Sequence, residues 1–270
     1  MKKTVLVTGA SAGIGRATAI YLAQNGYHVY GAARRVEKMM DLKEHGIVPV
    51  SLDVADESSL EACVGQILGE AGSIDILVNN AGTGYYGALE DMPITDAKYQ
   101  LEVNLFGVAR LIQLVLPAMR KNKFGKIVNI SSVGGKVTLP MGSWYHASKF
   151  AIEGLSDALR KEVKPFGIDV IVIEPGGTKS EMTAIGAEYL TRVSGSTVYG
   201  ALAKGVSNMY SAIEKDAAEP IVIARLIKEG IEARNPKTRY AGAAGAKMML
   251  FFREILSDKQ FDKLVMSQMK

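Results

Sequence analysis

The chain has 270 residues, of which 48% are hydrophobic and 22% charged, enough for one well-buried α/β domain and too few for two. Its net charge of +4 is scattered among acids with no block of like charge, which argues against nucleic-acid binding. A single cysteine, Cys63, excludes an internal disulfide; residues 1–4 run straight into an apolar strand with no room for a signal peptide, and no apolar run approaches the roughly 20 residues needed to cross a bilayer, so a soluble cytoplasmic protein is expected.

Short runs rich in Val, Ile and Leu alternate with segments of helical period. In chain order, strand 4–8 precedes helix 13–24, strand 28–32 precedes helix 36–44, and strand 48–53 precedes helix 57–70. Strand 76–79 then leads to helix 97–121, and strand 126–131 to helix 146–164. Strand 169–174 is followed by helices 201–213 and 220–233, and strand 239–241 comes last. Near-continuous apolar strands are buried on both faces. Strict alternation therefore predicts one domain spanning 1–270: a doubly wound, mostly parallel sheet of about seven strands with helices on both faces. Segment 178–210 is expected to face the substrate, and 245–270 to form a helical extension.

Sheets of this kind bind ligands beyond the carboxyl ends of their strands, so residues just after each strand are the candidates. The first strand opens into Gly9-Ala10-Ser11-Ala12-Gly13-Ile14-Gly15. Glycines there let the backbone approach a pyrophosphate held at the helix N-terminus; a tight strand–helix turn needs glycine too. Strand 76–79 ends in Asn79-Asn80-Ala81-Gly82, and strand 126–131 runs into Ser132. Asn104 lies in an apolar helical stretch, where its amide needs partners.

Tyr145 and Lys149 stand four apart near the start of helix 146–164, which puts both side chains on one face. A phenol titrates near pH 10, and a neighbouring ammonium favours the phenolate, which makes the tyrosine usable as a general acid or base.

Together, residues 8–15, Asn79–Gly82, Asn104, Ser132, Tyr145, Lys149 and Pro175-Gly176 resemble the short-chain dehydrogenase/reductase superfamily, closely over about residues 4–180. The resemblance implies a Rossmann fold and interconversion of a ketone or aldehyde with an alcohol. It implies that Tyr145 exchanges the proton and that Lys149 lowers the tyrosine pKa and binds the nicotinamide ribose. Ser132 would polarise the carbonyl, and Asn104 would hold a water that relays protons from the lysine. The cofactor would be held by Gly9, Ser11, Gly13, Ile14 and Gly15, by Asp53 and Val54 at the adenine, and by Asn80, Ala81 and Gly82. Pro175 and Gly176 would also line its site, with Thr178 or Ser180 at the carboxamide; the run Pro175-Gly176-Gly177-Thr178-Lys179-Ser180 departs from the usual Pro-Gly-x-x-x-Thr. Dimers or tetramers through helices 97–121 and 146–164 are also implied.

NADP(H) is expected over NAD(H). An NAD site carries an acid at the end of the second strand, where this chain has Ala33 followed by Arg34, a guanidinium suited to a 2′-phosphate. An epimerase or dehydratase on the same fold, or an NADP(H)-sensing regulator without turnover, are the alternatives; a regulator would have reason to lose Tyr145. No metal site is expected, because His28 and His45 lack partners. His146 is expected to lie behind the site or on the surface, and Cys63 to be a packed thiol. Tyr85, Tyr86, Leu139, Met141, Trp144, Met182, Tyr189 and Tyr199 would make an apolar pocket for a steroid, retinoid, fatty or terpenoid compound. Met248–Phe252 reads as core, with a lid, a subunit contact or weak peripheral membrane contact as alternatives.

Overall fold

Seven strands build the centre of the computed structural model, which describes residues 2–269. They are β1 (Thr4–Thr8), β2 (His28–Ala33), β3 (Val48–Ser51), β4 (Ile76–Asn79), β5 (Gly125–Ile130), β6 (Ile168–Pro175) and β7 (Arg239–Gly242). All pair in parallel, in the order β3-β2-β1-β4-β5-β6-β7. Strand order therefore reverses between β1 and β4, the place where such sheets open a crevice.

Successive side chains leave opposite faces of a strand, so each strand feeds two cores. Leu6, Leu77, Ile127 and Val170 point into one. Val5, Val7, Val78, Ile171 and Ile173 point into the other. The first is covered by α2 (Glu57–Ala71), α4 (Gly107–Lys121) and α5 (Ser143–Val163); the second by α1 (Gly13–Gln24) and α8 (Ile221–Glu232). Cys63 is buried in the first core, and that burial pushes its thiol up to about 12.

Several elements differ from the sequence expectation. Segment 36–44 winds as a 3₁₀ helix, Val36–His45, ended by Gly46 at φ +72°. Helix 97–121 begins earlier, as α3 (Ile94–Leu101), and passes through a π turn at Glu102–Phe106 before α4. This stretch, Ile94–Lys121, is long and apolar enough by length and composition to cross a membrane, contrary to the expectation of no such run. Here its Val108, Leu111, Ile112, Val115 and Met119 fill the core beside the sheet. Segment 178–210, for which only helix 201–213 was predicted, folds as α6 (Glu181–Ser194) and α7 (Gly200–Lys215). The extension forms α9 (Ala246–Ile255) and α10 (Asp258–Ser267).

Candidate active site

The crevice at the carboxyl edge is a cleft of about 1000 Å³. One end is the glycine loop. Gly9 and Gly13 have φ of +68° and +52°, a region that L side chains rarely adopt. A Cβ at Gly15 would strike the Gly9 carbonyl and the Asn80 amide, so this glycine lets α1 pack against the loop after β4. The N-cap of α1 is Ala12, which offers no capping side chain, and the first turn holds no acid. The helix thus turns uncapped N–H donors toward the cleft with no carboxylate competing, which fits a dinucleotide pyrophosphate.

The loop after β4 is tied to β1. The Thr8 hydroxyl accepts from the N–H groups of Asn80 (3.0 Å) and Ala81 (2.9 Å), while Asn80 Nδ2 donates to the Thr8 carbonyl at 2.9 Å. Farther along, Thr83 N–H gives to Asn104 Oδ1 (2.8 Å), Tyr85 N–H to Gln100 Oε1 (2.5 Å), Gly87 N–H to the Met141 carbonyl (2.7 Å) and Ala88 N–H to Ser194 Oγ (2.9 Å). A segment without a strand ladder is thereby held by side chains of the Ile94–Lys121 helix and of α6.

At the end of β2, Ala33 and Arg34 both line the cleft. Arg34 Nη1 donates to the Tyr99 hydroxyl at 2.8 Å. Arg35 instead pairs with Glu181 at 3.0 Å, with Lys38 3.9 Å from the same carboxylate, and Arg35 holds that carboxyl below its ordinary range.

Ser132, Tyr145 and Lys149 meet on the cleft wall. Ser132 caps the turn after β5, its Oγ accepting from Gly134 N–H at 2.9 Å. Lys149 is buried and donates from Nζ to the Ile130 carbonyl at 2.9 Å. Burial lowers its pKa to about 8, with the Glu153 carboxylate pulling the other way. Tyr145 is buried too, and burial raises its pKa against hydrogen bonding from Ser132 and Tyr86, which lowers it. The lysine Nζ stands 5.9 Å from the tyrosine ring centre. Lys149 is not among the groups that lower it, so the depression expected from the lysine is not seen here and desolvation of the phenolate decides the direction.

Of the sequence candidates, Gly9, Ser11, Gly13, Ile14, Arg34, Asp53, Val54, Asn80, Ala81, Gly82, Pro175, Gly176, Thr178 and Ser180 line the same cleft as the three polar groups. Gly15 and Asn104 do not. The Asn104 amide, implied as a water holder, spends both ends as a clamp: Nδ2 donates to the Thr83 carbonyl (2.9 Å) and Ser148 Oγ (3.0 Å). Thr178 turns its hydroxyl onto the Gly176 carbonyl at 3.1 Å, whereas Ser180, at the start of α6, makes no capping bond.

His146 is buried rather than on the surface. Its Nδ1 meets the Gly134 carbonyl and its Nε2 accepts from Leu139 N–H, both at 2.9 Å, so a neutral ring with the proton on Nδ1 pins the turn that carries Ser132. Burial also lowers its pKa, in keeping with that neutral form. Among the described residues no group of three or more His, Cys, Asp or Glu could hold a metal.

Tyr85, Tyr86, Leu139 and Met182 line the cleft, while Met141, Trp144, Tyr189 and Tyr199 do not. Tyr189 is hydrogen-bonded to Asp96 and stacked on Tyr85 at 4.5 Å, and Tyr199 gives its hydroxyl to Glu90 at 2.8 Å. Residues missed from sequence supply much of the apolar side: Met209 and Ile213 of α7, and Leu264 and Val265 of α10. Met248, Met249 and Phe252 of α9 also face it, so the extension is a wall of the cleft.

A parallel sheet with a glycine-loop crevice and a Ser–Tyr–Lys wall defines a nicotinamide-linked oxidoreductase. The sequence pattern of short chain dehydrogenase matches residues 3–189, and the chain belongs to that family of oxidoreductases, which use a nicotinamide cofactor. It is 42% identical over 179 residues to a 3-ketodihydrosphingosine reductase of Bacteroides thetaiotaomicron, covering 66% of this chain and 65% of that one. It is 32% identical over 278 residues to an NADPH-dependent 3-dehydrocapnine reductase of Ornithobacterium rhinotracheale, covering 98% and 96%. The crystal structure of a short-chain dehydrogenase from Streptomyces avermitilis is similar with a TM-score of 0.83 and 31% identity, over 98% of this chain and 95% of that one.

Proposed function

We propose that this oxidoreductase is an NADP(H)-dependent reductase of apolar ketones and aldehydes, and an alcohol dehydrogenase in reverse. The observation that carries the reading is the placement of Ser132, Tyr145 and Lys149 in a cleft whose far side, formed by α6, α7, α9 and α10, presents Met, Ile, Leu and Phe side chains. Two relatives are named as reductases, one of a 3-keto compound and the other NADPH-dependent, which supports both the reaction and the cofactor.

The uncapped N-terminus of α1 would take the pyrophosphate, Asp53 and Val54 the adenine, and Arg34 the 2′-phosphate. Ser180, whose hydroxyl is free of capping, is the better placed of the two candidates for the carboxamide. The bound nicotinamide supplies or accepts the hydride. Tyr145 gives its hydroxyl proton to the substrate oxygen during reduction, and Ser132 donates a second hydrogen bond to that oxygen. Lys149 stays cationic at neutrality, held by the Ile130 carbonyl, and favours the phenolate left behind. The apolar wall excludes water and receives the rest of the substrate. Segment 178–210 would thus serve substrate binding, as α6 and α7.

The test is a panel of a steroid ketone, retinal, a long-chain methyl ketone and 3-ketodihydrosphingosine, followed by NADPH absorbance. Turnover of at least one is expected, and Tyr145→Phe is expected to lower it by roughly two orders of magnitude while NADPH still binds. No turnover across the panel, or near-normal activity of the variant, would overturn the reading.

A further inference from the structure

Tyr86 was expected only as one more aromatic on the substrate side. The structure puts its buried ring between two other phenols, with ring centres 5.2 Å from Tyr145 and 5.2 Å from Tyr210 of α7. Two glycines also lie against the ring. A Cβ at Gly186 of α6 would fall 2.7 Å from the Tyr86 ring carbons, and one at Gly84 would fall 3.1 Å from the ring and 3.3 Å from the hydroxyl. The main chain on either side is fixed by the Tyr85–Gln100 and Gly87–Met141 hydrogen bonds. With backbone and ring both confined, the phenol is held beside Tyr145.

We propose that Tyr86 is a positioning residue for the reaction: its hydroxyl donates to the oxygen of Tyr145 and ties the reactivity of that phenol to helices α6 and α7. The inference rests on Tyr145 being the proton donor of the proposed reaction. Titration behaviour is consistent with the geometry. Burial and both neighbouring phenols hold the Tyr86 proton on, while Tyr86 in turn favours ionisation of Tyr145 and of Tyr210. In the proposed arrangement Tyr86 is the donor of the three, with one O–H to share between two acceptors. Given to Tyr145, it stabilises the phenolate; given to Tyr210, it leaves Tyr145 with Ser132 alone. A substrate that moves α6 or α7 therefore changes how readily Tyr145 exchanges its proton.

The experiment compares wild type, Tyr86→Phe, Tyr210→Phe and Tyr145→Phe, using the fastest ketone of the panel and, in reverse, its alcohol with NADP⁺. The readout is the acid limb of kcat against pH for alcohol oxidation, where Tyr145 must be ionised, with NADPH binding measured separately by fluorescence. Losing a donor to the phenolate raises its pKa. Tyr86→Phe, which keeps the ring, is expected to move the limb up by about half to one pH unit, the effect of one neutral hydrogen bond, with NADPH affinity unchanged. Tyr210→Phe leaves Tyr86 a single acceptor and is expected to move the limb down. An unmoved limb in Tyr86→Phe, with Tyr145→Phe inactive, overturns the inference alone. Near-normal Tyr145→Phe, or no panel ketone turned over, overturns the function reading and this inference with it. Should Tyr86→Phe fail to bind NADPH, Tyr210→Phe decides: a downward shift supports the role, and no shift or an upward one overturns it.

Discussion

Cofactor choice turns on the end of β2, and the double substitution Ala33→Asp/Arg34→Ala tests it. Three cations lie there, but Arg35 and Lys38 both face the Glu181 carboxylate. Arg34 has only the neutral Tyr99 hydroxyl as its partner in the structure, so among the described residues it is the guanidinium open to a phosphate dianion. A charge-assisted hydrogen bond contributes about 1.5–3 kcal/mol. Arg34 is solvent-exposed, so the low end applies, and about 1.4 kcal/mol is tenfold in rate. Wild type is therefore expected to favour NADPH over NADH by at least about 10-fold in kcat/KM. In the variant the guanidinium is gone, and the carboxylate introduced at the end of β2 would repel the phosphate while accepting from a ribose 2′-hydroxyl. Its preference should vanish or invert. The assay is initial rates with both cofactors at fixed ketone. Equal use of both by wild type, or an unchanged preference in the double variant, would refute the reasoning.

Three further outcomes are expected. Gly107→Ala would drive a Cβ into the Val54 carbonyl; overpacking of this sort costs about 1–3 kcal/mol, so calorimetry should show a lower Tm, and an unchanged Tm would count against the packing of α4 on the loop after β3. Glu174 is held at about 7, chiefly by burial and also by the Glu153 carboxylate. The folded state keeps a proton that the unfolded chain loses in the ordinary carboxyl range, so stability falls as pH rises toward about 7. Glu174→Gln should flatten that fall, and Tm measured at about pH 5 and pH 8 checks it; identical slopes for both proteins would refute the assignment. Finally, Phe106 at the π turn and Phe150 on α5 are 55% and 44% exposed, and we expect them to be covered in a dimer or tetramer; light scattering that gives a monomer at micromolar concentration would oppose this.

The strands were legible because each is a short apolar run that the sheet buries on both faces, and every predicted strand overlaps an observed one. The cleft was legible from residues at strand ends and from the helix after β5: Gly9, Asn80, Ser132 and the Tyr145–Lys149 pair lie apart in sequence, yet the parallel order brings them to one edge. What escaped depended on partners that sequence does not reveal. Helix α6 was not foreseen; its Tyr189 packs flat on Tyr85 and its Gly186 admits the Tyr86 ring, contacts with a loop about a hundred residues upstream. The Ser180–Glu181 pair at its start, a helix-opening residue followed by an acid, was the available signal. The π turn at Glu102–Phe106 was not predicted within helix 97–121. His146, expected behind the site or on the surface, is buried against the turn that carries Ser132; what the sequence does not reveal is its partners, which are main-chain groups of Gly134 and Leu139.

The clamps on the loop after β4 have a consequence for time rather than place. An irregular surface segment ordinarily exchanges its amide hydrogens quickly, because nothing but water holds them. Here the amides of Thr83, Tyr85, Gly87 and Ala88 are each given to a fixed acceptor. Two of those acceptors, Asn104 and Gln100, are buried and belong to the Ile94–Lys121 stretch, whose later turns fill the core beside the sheet. Deuterium should therefore enter this stretch about as slowly as it enters β4, and well after it has entered the exposed end of α7. One wall of the cleft keeps the pace of the core while the wall opposite keeps the pace of the surface.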